Sequence, residues 1–170
     1  MLLGCLGKAM AQGLPDTPDM KGKFTYGGTI GGGMSGNCLS LSVAPQVGYR
    51  IFSPWEVGVR GIYDLTVYFD RVHGNEYCHY FGLAPYTNVE VYKGFFLHVE
   101  DEAMYGLVKR NDQKVGKWFN SLYAGGGYRH YTYSGHYIYI MALYNFSSLF
   151  PNNVDTWYGS PWVLRLGFCL

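Results

Sequence analysis

Residues 55–70, WEVGVRGIYDLTVYFD, alternate in polarity with a period of two. Trp55, Val57, Val59, Gly61, Tyr63, Leu65, Val67 and Phe69 share one face, and Glu56, Gly58, Arg60, Ile62, Asp64, Thr66, Tyr68 and Asp70 share the other. Successive side chains of a strand point to opposite sides, so the run predicts one long strand with an apolar side and a mixed polar side. It is longer than the roughly 9–11 residues with which a tilted strand crosses a bilayer. What its apolar side meets decides what the rest of the chain is.

The same alternation recurs along the sequence. Strands are expected at 23–34, 38–51, 55–70, 77–92, 95–103, 118–133, 136–145 and 156–170. Ser35-Gly36-Asn37, Phe52-Ser53-Pro54, Lys93-Gly94 and Ser134-Gly135 read as tight turns, and 71–76, 104–117 and 146–155 as longer polar loops. From the second strand onward the connections therefore run short, long, short, long, short, long. Pro45 and Pro85 fall inside two strands, where a missing ladder donor predicts bulges. No capping box precedes an apolar run of helical period. The fold expected is all-β: eight antiparallel strands, up and down, closed into a barrel without free edges. A chain of 170 residues suits one such domain, spanning 23–170.

Soluble ligand-binding barrels also have eight strands, with the apolar faces inward and a charged surface outward. Only 15 % of this chain is charged, against about 25 % in ordinary soluble domains. Gly, Ser, Thr and Ala dominate the polar faces, with one or two charges each, which suits a narrow interior. Trp55, Tyr92, Phe95, Trp118, Tyr133, Tyr137, Trp157 and Trp162 gather near strand ends, as the aromatic girdles of transmembrane barrels do. The apolar faces are therefore expected to meet lipid. A mean hydropathy of −0.06 is compatible with this, because alternating strands average to an unremarkable value. The connection rhythm then puts short turns and both termini in the periplasm and long loops outside. Residues 1–11, MLLGCLGKAMA, read as the truncated end of a signal peptide with a small-x-small site at Ala9-Met10-Ala11, and 12–22 as an exported leader. Acylation of Cys5 in a lipoprotein box is the competing reading.

The inward charges expected are Arg50, Glu56, Arg60, Asp64, Glu90, Glu100, Arg129 and Arg165, together with His98. Unpaired burial would cost several kcal/mol each, so they predict a mixed-sign network across a bore that side chains fill. Catalysis has little support: Glu100-Asp101-Glu102 offers carboxylates, but neighbours alternate faces and Glu100 with Glu102 reads as lumen lining, and no Ser lies in a Gly-x-Ser-x-Gly setting. The histidines His73, His79, His98, His130 and His136 show no ligand spacing, so neither a metal nor another cofactor is expected. The glycine-rich residues 27–36 have no following helix to make a phosphate loop. A net charge of +1 offers nucleic acid nothing. Cys38 and Cys78 both begin strands on the external side, within possible reach of a disulfide.

Tyr26-Gly27-Gly28, residues 44–50 (APQVGYR), Gly125-Gly126-Gly127-Tyr128, Leu143-Tyr144-Asn145 and the terminal Arg165-Leu166-Gly167-Phe168 resemble the small outer-membrane β-barrel proteins of Bacteroidota. The chain ends in Cys169-Leu170, where that pattern ends in an aromatic. The resemblance implies the barrel and its membrane, and almost nothing about activity. Three functions stay open: a non-enzymatic structural or interaction subunit of a larger outer-membrane complex, recognised through loops 104–117 and 146–155; a small gated pore for solutes or protons; and a soluble lipocalin-like binder.

Overall fold

The computed structural model describes residues 23–35, 37–69, 75–110, 113–132, 136–149 and 161–170; the signal and leader readings fall outside them. Eight strands follow one another: β1 (Phe24–Ser35), β2 (Cys38–Phe52), β3 (Trp55–Tyr68), β4 (Glu76–Tyr92), β5 (Phe95–Arg110), β6 (Gln113–Tyr131), β7 (Tyr137–Asn145) and β8 (Trp162–Cys169). Each pairs antiparallel with the next, and β8 returns to β1, so the sheet closes as an up-and-down barrel. Among the described residues no α-helix occurs; a single 3-10 turn, Phe146–Leu149, follows β7. Closure is what lets strands with one apolar and one polar side exist here without exposing an edge.

Two expected boundaries move. Residues 104–110 and 113–117 are not loop: β5 and β6 stay in register from Phe95↔Tyr128 to Arg110↔Gln113. The Lys-rich stretch ends the apolar row, but a hairpin ladder needs only backbone groups, so the strands run on. Of 146–155, the first four residues form the 3-10 turn and the others lie outside the described residues, as does the beginning of the eighth expected strand. Lys93 and Gly94 both have positive φ, 40° and 88°, the pairing a two-residue primed turn requires.

The prolines are accommodated without bulges. β2 pairs with β3 at Val43↔Tyr63 and again at Gln46↔Arg60, skipping Ala44-Pro45 while keeping register. β4 and β5 do the same around Ala84-Pro85, between Leu83↔Ala103 and Tyr86↔Glu100. Each proline keeps a registered partner on its other side, Gly28 and Val59 respectively. The missing donor thus interrupts one ladder locally. The register shifts lie instead beside the tight turns, at Arg50/Phe52 and Glu90/Tyr92.

Polarity across the wall is inverted relative to a soluble protein. The exposed side carries Leu41, Val43, Val47, Val59, Leu83, Leu97, Val99, Ile138, Ile140, Leu164 and Leu166. Leu164 is 68 % exposed, whereas Arg60 and Glu100 are each 1 % exposed inside the barrel.

Candidate functional site in the barrel bore

The bore is organised in two charged layers. In β3, Glu56 and Arg60 lie four residues apart and therefore on the same inward face. Around Glu56, the register Arg50↔Glu56 brings Arg50 Nε to 3.4 Å from Glu56 Oε2, and Arg129 Nη1 approaches the same oxygen at 3.9 Å. Tyr137 donates its hydroxyl to Glu56 Oε2 at 3.2 Å, while Tyr86 and Asn88 donate to Oε1 at 3.2 and 3.3 Å. Arg50 Nη2 donates to the Tyr131 hydroxyl at 3.1 Å, and that hydroxyl donates to Glu90 Oε2 at 2.6 Å. The Gly94 amide donates to the other Glu90 oxygen at 3.1 Å, which ties the turn to the layer. Arg129 also lies over the rings of Phe96 and Tyr137, at 4.3 and 4.9 Å, where the ring quadrupole favours a cation.

The second layer centres on Glu100. Arg60 and Arg165 both pair with it, and Arg165 Nη2 donates to Glu102 Oε2 at 3.0 Å. His98 links the layers: Nε2 lies 3.1 Å from Glu100 Oε2, and Nδ1 is hydrogen-bonded to Asn88 Oδ1. Asn88 in turn reaches Glu56, so one chain of contacts runs from Glu90 to Glu102. Asp64 stands apart, accepting from Ser40 Oγ at 3.0 Å and Thr66 Oγ1 at 2.9 Å.

All nine side chains singled out in the sequence point inward, and eight are brought into one network; Asp64 is the ninth. Several members carry no charge and are not among the inward candidates: Asn88, Tyr86, Tyr131 and Tyr137; beside the network Tyr139 donates to Gln46 at 2.9 Å. Glu102 was read as lumen lining and belongs to the network as well. Inward phase is a signal for Asn88, Tyr86, Tyr131, Gln46 and Glu102, which share strand faces with charged residues; Tyr137 and Tyr139 have none on theirs.

Glycines open space for this layer. A Cβ at Gly58 would stand 2.5 Å from Tyr86 Cζ. The opposite wall is filled by Phe96, Tyr123, Tyr137, Tyr139, Met141 and Leu143. Between the two walls remains a void of about 10 Å³, lined by Gln46, Asn88, His98 and Arg129 among others, enough for one water.

Among the girdle aromatics, Trp55, Tyr92, Phe95, Trp118 and Trp162 are exposed on the outer side, and Tyr133 and Trp157 lie outside the described residues. Tyr137 is a correction: it is 2 % exposed and inside the bore. Strand β7 is apolar on both sides, Ile138 and Ile140 outward, Tyr137 and Tyr139 inward. With no charge to mark its inner face, its phase is decided only when Tyr137 finds Glu56.

His79 faces outward against the Tyr63 hydroxyl at 3.0 Å, His130 and His136 are exposed, and His73 is outside the described residues. Cys78 is buried, and the side chain of Cys38, its expected partner, lies outside the described residues. Compared with known proteins, the chain matches no protein-family model and no curated sequence.

Proposed function

We propose that this chain is an integral outer-membrane β-barrel whose bore is sealed by the charge network, and that it acts as a structural or interaction subunit, not as an enzyme or an open pore. One observation carries the reading: over most of the described wall apolar rows face out while the ionised side chains face in, with Asp101, bonded to Asn120, the outward exception. On a soluble monomer, contiguous apolar patches rarely exceed a few hundred Å². Against hydrocarbon such a wall is favourable, and a closed barrel satisfies its own backbone groups there. Trp55, Tyr92 and Phe95 lie beside the tight turns and Trp162 opens β8 at the other end, which fits an aliphatic band with an aromatic girdle at each interface. The tight-turn end, with both termini, would face the periplasm.

A lipocalin-like binder needs an apolar, roomy interior, and this one is lined by ionised side chains. At the tight-turn end the space left beside Arg129 and His98 is about 10 Å³, which supports a plug over a pore. What remains for function is the outer wall and the ends of the barrel.

Flotation with phosphatidylcholine vesicles after an alkaline wash tests the membrane reading: the folded chain should float with lipid and show heat-modifiable mobility on gels. Recovery in the aqueous fraction would overturn it. In planar bilayers, steady open-channel conductance would overturn the seal. Purification from native membrane in mild detergent should retain stoichiometric partners, and a chain that always emerges alone would remove the subunit role.

A further inference from the structure

The seam that closes the barrel is incomplete. β1 and β8 pair from Tyr26 and Leu170, whose backbones exchange hydrogen bonds, up to Ile30↔Leu166 and no further, although β1 continues to Ser35 and β8 begins at Trp162. Above Ile30 the two strands part. A cavity of about 260 Å³ lies there, lined by Ile30, Trp162 and Leu164 from the outer side and by Ser40, Ser42, Asp64 and Arg165 from the inner side. Gly31 follows outward-facing Ile30, so its own side is inward, yet it is exposed; a Cβ there would meet only Ser42 Cβ, at 3.9 Å.

The charge at the bottom of this cavity is unbalanced. Arg50 and Arg129 face Glu56 and Glu90, and Arg60 and Arg165 face Glu100 and Glu102. Asp64 is the fifth carboxylate, 1 % exposed, and among the described residues only two hydroxyls serve it. A buried carboxylate calls for a cationic donor.

We propose that the open part of the β1–β8 seam is a lateral doorway through which the primary-ammonium head of an amphiphile reaches Asp64, its alkyl chain lying outside against Ile30, Trp162 and Leu164. This rests on the membrane reading, since the chain needs hydrocarbon at the doorway. The ammonium would donate to Asp64 beside the Ser40 and Thr66 hydroxyls. A simple long-chain amine and a phosphoethanolamine lipid both present that head.

Native mass spectrometry of the full chain in a neutral detergent separates these cases, with dodecylamine, lysophosphatidylethanolamine, lysophosphatidylcholine and dodecanoate as probes. One equivalent of dodecylamine or lysophosphatidylethanolamine should be retained, and which of the two decides the source. Asp64→Asn should weaken retention about tenfold or more. Gly31→Phe fills the cavity without altering the carboxylate and should also abolish retention, in protein that still shows heat-modifiable mobility. Equal retention of dodecanoate or of the trimethylated head, retention of no amine, or wild-type binding by both variants would each overturn the doorway. Vesicle flotation reports on the membrane reading independently of all four probes.

Discussion

The two ends of the bore solve the same electrostatic problem differently. At the tight-turn end, Glu56 and Glu90 are met by Arg50, Arg129 and the Tyr131, Tyr137 and Tyr86 hydroxyls, and the void beside them holds about 10 Å³. At the other end, Asp64 has two hydroxyls, and a cavity of about 260 Å³ opens through the wall. Where each inward charge has an opposite within reach, side chains close the tube. Where one carboxylate is left over, the wall beside it is also unzipped. The difference teaches that the interior is not a uniform plug; its sealed part and its open part are distinguishable by charge.

Four substitutions break or sharpen that contrast, in descending order of effect. Glu56→Ala strands Arg50 and Arg129 without their shared carboxylate and should cost about 3–5 kcal/mol, read as a lowered urea midpoint of the vesicle-folded barrel. A midpoint unchanged from wild type would show that the lower layer is not what holds the tube. Leu83→Arg, mid-strand and outward, should cost about 2–4 kcal/mol if that face meets hydrocarbon; in the same urea titration, an effect near zero would place it in water. Tyr131→Phe removes the hydroxyl between Arg50 and Glu90 and should cost about 1–3 kcal/mol, with thermal unfolding in detergent as a second readout. Asp64→Asn should change stability by less than about 1 kcal/mol, and a gain would fit removal of an unmatched buried charge. Should Asp64→Asn prove as damaging as Glu56→Ala, the two ends would not differ in the way described.

Much of this was legible along the chain. Alternation in 55–70 placed Glu56, Arg60 and Asp64 on one face and Val57 and Val59 on the other, and the barrel keeps those faces. The reading failed where its markers were missing. β7 has apolar residues on both sides, so Tyr137 was assigned outward and lies inward. Residues 104–117 are polar and read as a loop, whereas β5 and β6 continue as a ladder to Arg110↔Gln113. Pro45 and Pro85 suggested bulges, but each proline turns its missing donor toward one neighbour only, and register survives.

Period-two patterning by itself therefore determined the strand count, the closed all-β architecture and which charges face inward, because side-chain direction in an extended chain is a local property. Tertiary structure alone decided which charge meets which. Arg50 and Tyr131 are 81 residues apart in sequence, and they touch only because the registers of the intervening strands bring β2 and β6 to one level across the bore. The leftover charge at Asp64 and the parting of β1 from β8 are likewise sums over all eight strands, and no single stretch of sequence contains them.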